Sequence, residues 1–186
     1  MSAPGDVGSL TAVRAYVTGG SGFVGTWLRR HLCESGDEVV GGDLEVDVTD
    51  PGAIAASLVG ADPDVVYHLA GLAHVGRSWE DPGTTFQVNA VGTLNVLEAA
   101  SSCARPPRVI VVSSAEVYGR VESASALTEA SELRPISPYA ASKVAAEFLG
   151  VQAHLGRGLP VIRVRPFNHV GPGQADTFVV SGLARR

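Results

Sequence analysis

Tyr139 and Lys143 stand four residues apart, and Ser114 precedes them at the end of an apolar run. On a helix, residues at i and i+4 share a face, so the phenol and the ammonium point the same way. A phenol with a pKa of about 10 is a poor base at neutral pH, but an ammonium within about 4–6 Å stabilises the phenolate and lowers that pKa. A serine at a neighbouring strand end can hydrogen-bond the same substrate oxygen and stabilise charge there. Such a trio passes a proton to or from a carbinol oxygen while hydride moves to or from nicotinamide, a reaction whose chemistry the cofactor carries and the protein positions. Alone, Tyr-x-x-x-Lys is commonplace as an exposed helix pair. It gains meaning when a phosphate-binding turn precedes it.

The stretch Ala12–Gly25, AVRAYVTGGSGFVG, reads as that turn. An apolar run, Val13 to Val17, predicts a strand, and Phe23, Val24, Trp27, Leu28 and Leu32 fall at helical spacing. Between them Gly19 can adopt the turn, Gly22 leaves room for a pyrophosphate, and Gly25 lets the helix pack close to the strand. The helix start around Ser21, Phe23 and Val24 offers N–H groups to phosphates. The spacing, Gly-x-x-Gly-x-x-Gly, is one residue longer in its first gap than the common fingerprint, and by itself it is also compatible with a structural turn. Gly36 stops the helix, and Glu38–Val40 forms a second strand leading to Asp43. That aspartate lies 24 residues beyond Gly19, near the interval at which a carboxylate accepts hydrogen bonds from a ribose diol and repels a 2′-phosphate. NAD is thereby favoured over NADP, unless Asp43 is a solvated loop residue like its acidic neighbours. Asp47 and Val48 form the next turn, where a carboxylate and an amide could meet the adenine edge.

A helix around Pro51–Val59 leads to a third strand, Asp64–Leu69, buried on both faces. It exits at Leu69-Ala70-Gly71, small residues against which a cofactor ribose or phosphate linkage could lie, while His68 reads as structural. The polar loop AHVGRSWEDP follows at the carboxyl edge of the sheet, where ligands of open α/β sheets bind, and offers Arg77 and Ser78 as substrate contacts. A long helix, Pro82–Cys103, carries Asn89, which if buried must be hydrogen-bonded, either tying the helix to a strand or holding a water near the chemistry. The fourth strand, Arg108–Val112, ends at Ser113-Ser114-Ala115-Glu116. Successive β-then-α units make a Rossmann-like, doubly wound parallel sheet the expected α/β fold. The aperiodic segment Arg120–Pro138 is long for a connection and predicts a functional loop over the site. Ser137-Pro138 starts the helix of Tyr139 and Lys143, a fifth strand spans Pro160–Val164, and a helix begins in FVVSGLA.

Composition narrows the partners. Hydrophobic residues at 45% and charged residues at 18% describe a globular chain. A net charge of −5 without a basic run argues against nucleic acid. The apolar runs are strand-length and the N-terminus has neither a charged n-region nor an apolar h-region, so a cytoplasmic protein without a membrane segment is expected. The two cysteines, Cys33 and Cys103, are expected to be buried small hydrophobes. No metal site is expected.

The motifs TGGSGFVG, HLAG, SSAEVYG, YAASK and RPFN, in that order, resemble the extended short-chain dehydrogenase/reductase family of nucleotide-sugar epimerases, dehydratases and reductases. The resemblance implies an NAD(H)- or NADP(H)-dependent enzyme acting on a nucleotide sugar. It gives Gly19, Gly22 and Gly25 to the pyrophosphate, Asp43 to ribose, Ser114 and Tyr139 to acid/base work, and Lys143 to both cofactor ribose and tyrosine. Asn168 matches an asparagine that contacts the substrate diphosphate, and dimerisation through helices Pro82–Cys103 and Pro138–Gly156 is expected. Within the family, AHVGRSWEDP, VNAVGTLNVLEA and RPFNHVGPGQADTFVVSGLAR are similar to reductases of GDP-4-keto-6-deoxy-mannose. Glu116 stands where 4,6-dehydratases keep the base that removes the C5 proton, so a dehydratase or epimerase is the alternative. A non-catalytic dinucleotide-binding module is a third. By the same resemblance, residues 1–11 are a flexible N-terminus, 12–170 the cofactor domain and 171–186 the start of a substrate-binding part that is otherwise absent.

Overall fold

The apolar run after Val13 forms β1 (Arg14–Thr18), and the glycine turn opens directly into α1 (Phe23–Glu34). Left-handed Gly36 then reverses the chain into β2 (Glu38–Gly41). In this computed structural model, residues 12–42, 46–121 and 126–185 are described. The expected N-terminal segment 1–11 and Asp43 lie outside them. Asp50 begins α2 (Pro51–Ala61), its carboxylate accepting from the Gly52 and Ala53 N–H groups with Pro51 in the first turn, the arrangement a helix start favours. Next come β3 (Val65–His68) and β4 (Arg108–Val112), with the long helical stretch between them, and then α6 (Pro138–Arg157), β5 (Val161–Val164) and α7 (Val179–Ala184).

The five strands are parallel, in the order β2-β1-β3-β4-β5. Alternation along the strands sends Tyr16, Val66, Val109 and Val111 to one face, where they pack with Ile54 and Leu58 of α2, residues Val96 and Ala100, and Ala146 and Ala153 of α6. Ala15, Val17 and Val65 face the other way, against Leu28 and Leu32 of α1. Both faces of the central strands are thus covered, as a doubly wound sheet requires. Among the described residues, no helix is long and apolar enough to cross a membrane.

Three expectations need correction. The stretch read as a polar loop contains a six-residue helix, α3 (Val75–Glu80), ended by Asp81, whose carboxylate accepts from the Thr84 N–H and starts α4 (Pro82–Phe86). The helix predicted over Pro82–Cys103 is not uniform: a π-helical turn, Gln87–Val91, separates α4 from α5 (Gly92–Ser102). Cys33 is exposed, because the buried stripe of α1 runs through Gly25 and Leu32, while Cys103 is half-buried beside the core.

Gly42 has a φ of 93°, and a β-carbon there would strike the Val17 carbonyl. Gly36, with a φ of 88°, has open space around it. Gly36→Ala should lower stability by about 1–2 kcal/mol from backbone conformation alone. Gly42→Ala should lower it by more, because β1 must also move. Urea denaturation midpoints of the two variants check this; equal losses would show that the close approach at Gly42 does not matter.

Candidate active site

The neighbours of β1 are β2 on one side and β3 on the other, so the chain winds away in opposite directions and a crevice opens beyond the carboxyl ends of β1 and β3. The glycine turn and the Leu69–Gly71 exit meet in it. Gly19 has a φ of 69°, and a β-carbon there would lie 2.8 Å from the Ala70 nitrogen. A β-carbon on Gly25 would collide with the Gly19 carbonyl, which already accepts from the Gly22 N–H at 3.0 Å. Gly22 caps α1 without a side-chain hydrogen bond, so no cap covers the first-turn N–H groups around Phe23 and Val24. Exposed Ser21 stands beside them. An uncapped helix start held against a strand end by side-chain-free backbone fits an anionic pyrophosphate.

The far side of the crevice is built by Gly71, Asn89 and Lys143. A β-carbon on Gly71 would lie 2.9 Å from Asn89 Oδ1 and 3.4 Å from Lys143 Nζ, so glycine keeps this space clear. Asn89, in the π-helical turn, accepts from the Leu72 N–H at 2.8 Å, donates to the Leu72 carbonyl at 3.1 Å and to Ser142 Oγ at 3.0 Å. It therefore ties three segments together, joining the π turn to the β3 exit and to α6.

Tyr139 is 8% exposed, and the Ser114 hydroxyl is near enough to its phenol to pull the phenol pKa down. Ser114 also caps the short 3₁₀ turn Ala115–Tyr118, accepting from the Glu116 N–H at 3.2 Å. Ser114, Glu116 and Tyr139 therefore form one cluster. The expected lowering of the Tyr139 pKa by Lys143 does not appear. Burial raises the phenol, the neighbouring Ser114 hydroxyl pulls it down, and the negative Glu116 pushes it up again. Lys143 Nζ instead donates to the Val112 carbonyl at 2.9 Å, and burial brings its pKa down to about 8.

Asp47 and Val48 form the turn into α2. The Asp47 carboxylate accepts from the Thr49 N–H and hydroxyl, both at 2.8 Å, and its pKa is lowered by these bonds. Val48 is buried against Gly92, with its carbonyl held by Asn95 Nδ2. Arg77 is exposed on α3, while Ser78 is 1% exposed and donates its hydroxyl to the Val75 carbonyl. Asn168 is exposed beyond β5. The segment after it runs from α1 to α3: Trp27 Nε1 donates to the Pro172 carbonyl at 3.2 Å, and the rings of His74 and Phe178 stack with centroids 4.6 Å apart.

Glu147 and Arg165 were not singled out from the sequence. Glu147 is fully buried one helical turn beyond Lys143, and Arg165 grips it with two bonds, Nε to Oε1 at 2.8 Å and Nη2 to Oε2 at 2.7 Å. Burial would raise the carboxyl, but the hydrogen bonds and charge of Arg165, with Arg163 nearby, hold it below its ordinary value. Arg165 Nη1 also donates to Tyr118 Oη at 3.0 Å and to the Glu129 carbonyl at 3.1 Å. One guanidinium thus joins α6 to the Ser114–Tyr118 turn and to the loop after it. The i+4 spacing from Lys143 was the available signal.

Residues 15–186 match the family described as the NAD dependent epimerase/dehydratase family. The chain belongs to this family. It is 39% identical over 176 residues to GDP-6-deoxy-D-mannose reductase of Pseudomonas aeruginosa, a match covering 93% of this chain and 58% of that protein. Among solved structures, RMD from Pseudomonas aeruginosa complexed with NADPH superposes with a TM-score of 0.82 at 40% identity, covering 94% of this chain and 59% of the other. DesIV, a dTDP-glucose 4,6-dehydratase from Streptomyces venezuelae solved with NAD bound, gives 0.85 at 32% identity, covering 92% and 61%. The chain therefore spans about three-fifths of the length of these epimerase/dehydratase relatives.

Burying Lys143 has a consequence for stability. The folded protein releases the lysine proton at about 8, whereas the unfolded chain holds it until about 10.5. Folding is therefore penalised by Lys143 below pH 8, and the penalty disappears as pH rises toward 10.5. Lys143→Met should stabilise the chain by about 2 kcal/mol near pH 7, after allowing for the lost bond to Val112, with the gain shrinking above pH 8. Thermal denaturation across that pH range tests it; a gain independent of pH would refute the assignment.

Proposed function

We propose that the protein is an NAD(P)-dependent nucleotide-sugar oxidoreductase that reduces the 4-keto group of GDP-4-keto-6-deoxy-mannose. The observation that carries this reading is the cluster of Ser114, Tyr139 and Glu116 beside a crevice whose floor is Gly19–Ala70 and whose far side is Gly71, Asn89 and Lys143. Its 39% identity to a GDP-6-deoxy-D-mannose reductase supports the choice of sugar. Bound reduced nicotinamide would supply the hydride. The Tyr139 hydroxyl, a phenol that is protonated at neutral pH, donates its proton to the C4 oxygen. Ser114 hydrogen-bonds the same oxygen and orients it. Lys143, withdrawn from the Val112 carbonyl, would hold the cofactor ribose and place positive charge near the phenol. The crevice fits either NAD(H) or NADP(H), with Gly19, Ser21, Gly22, Phe23, Val24 and Gly25 at the pyrophosphate and Leu69, Ala70, Gly71 and Asn89 beside the ribose. Arg77 and Asn168 face solvent and are the candidate contacts to the substrate diphosphate. Phe148 and Leu155, exposed on α6, support a homodimer formed through that helix.

A second reading is a 4,6-dehydratase. Its support is Glu116, exposed next to Tyr139 and close enough to raise the phenol pKa, where a base for the sugar C5 proton would have to stand.

The chain carried to the length of its relatives should oxidise NADH or NADPH when given GDP-4-keto-6-deoxy-mannose. Tyr139→Phe should reduce kcat by about 10²–10⁴-fold. Absence of oxidation would overturn the reductase reading, and binding of NADH without binding of GDP would point to a non-catalytic module. Glu116→Gln separates the two enzymes: it should leave keto reduction within a few-fold, whereas dehydration of GDP-mannose or dTDP-glucose lost with this variant would establish the second reading.

A further inference from the structure

A buried polar chain connects the floor of the crevice to the backbone of Tyr139, through residues almost wholly removed from solvent. Thr18, His68, Thr93, Asn89 and Ser142 are each 3% exposed or less. Thr18 Oγ1 lies 2.8 Å from His68 Nδ1, and His68 Nε2 lies 3.0 Å from Thr93 Oγ1. Thr93 Oγ1 donates to the Asn89 carbonyl at 2.6 Å. Asn89 Nδ2 donates to Ser142 Oγ, which donates to the Tyr139 carbonyl at 2.7 Å. At the other end, Thr18 Oγ1 accepts from the Ala70 N–H at 3.2 Å, the nitrogen against which Gly19 packs.

Only one proton arrangement satisfies every member. The Thr93 hydroxyl has given its proton to the Asn89 carbonyl, so it must accept from His68, which places the imidazole proton on Nε2. Nδ1 is then bare and accepts from the Thr18 hydroxyl, whose lone pair takes the Ala70 N–H. Burial keeps the ring neutral, its pKa lowered to about 3. Each side-chain bond donates from β1 toward α6, and the ring has no second orientation that keeps both threonines paired. A half-satisfied chain of this kind leaves a buried polar group without a partner, which is expensive.

We propose that His68 and Thr93 are positioning residues for the dinucleotide. Their single proton order holds the Gly19–Ala70 floor at a set distance from the Gly71–Asn89–Lys143 side, so that cofactor affinity depends on two residues that do not touch the cofactor. This rests on the reading of the crevice as an NAD(P) site. Thr93→Val keeps the shape but removes the acceptor of the His68 Nε2 proton and the donor to the Asn89 carbonyl. Thr93→Ser keeps both. Thr18→Val interrupts the other end.

The test is calorimetric titration of the purified chain with NADH, at a temperature where circular dichroism shows each variant folded. Wild type and Thr93→Ser should bind alike, and Thr93→Val and Thr18→Val should bind at least tenfold more weakly. If wild type binds and both valine variants bind as tightly, the positioning role is overturned while the cofactor reading stands. If wild type does not bind, the cofactor reading falls and the inference with it. Nitrogen NMR of the His68 ring gives a readout independent of the variants: a single tautomer protonated at Nε2 near pH 7 is expected, and a mixture of tautomers or an Nδ1 proton would overturn the proposal.

Discussion

Backbone approach without side chains is the constraint on which the rest of this structure depends. At Gly25 against the Gly19 carbonyl, Gly19 against Ala70 and Gly42 against Val17, two chain segments are closer than any β-carbon allows. These contacts bring the start of α1, the end of β1 and the end of β3 to one point. They also leave an unscreened helix start facing the crevice, where partial positive charge is concentrated. A larger residue at any of the three would push α1 or β2 outward and disperse the N–H groups that make the place attractive to phosphate.

Around this point the protein places groups that are costly to bury. Burial moves the titration of both Lys143 and Tyr139 away from its course in water, the amine losing its proton more readily and the phenol keeping it longer. Glu147 is the opposite case, because Arg165 meets both carboxylate oxygens. Tyr139, Lys143 and Glu147 follow one another along one helix face, each a turn apart. A satisfied ion pair anchors α6 next to an amine that, among the described residues, donates to a backbone carbonyl, and such under-satisfied groups mark places where stability has yielded to chemistry.

Most of the fold could be read from the sequence because its signals are local. Strand runs, the Asp50-Pro51 and Ser137-Pro138 helix starts, and the glycine turn each lie within a few residues, and α1, α2, α6 and all five strands stand where those signals put them. The placement of the candidate site residues was legible where it follows from spacing, as with Tyr139 and Lys143 on one helix. It was not legible where it depends on partners brought together by the sheet. His68 pairs with Thr18 across 50 residues and with Thr93 across 25, distances over which no periodicity speaks. The direction of Lys143 Nζ, toward Val112 and not toward the phenol, likewise depends on the register of β4 beside α6. Two misjudgements have simpler reasons: the six residues of α3 carry too few turns for a face to declare itself, and Cys33 sits one position off the buried stripe of α1 through Gly25 and Leu32.

The π-helical turn at Gln87–Val91 has one consequence for how this helix is to be read. Each i→i+5 bond takes in one residue more than an α-helical bond, so the face that α4 presents and the face that α5 presents are offset by a single position. Asn89 and Asn95 therefore do not belong to one wheel: the first reaches Leu72 and Ser142, the second the Val48 carbonyl. Removing one residue here would let a continuous α-helix close up while its ends stayed in place, and the amide of residue 89 would rotate away from Leu72. The reach of that amide is thus encoded by the count of residues in the turn as much as by the asparagine itself.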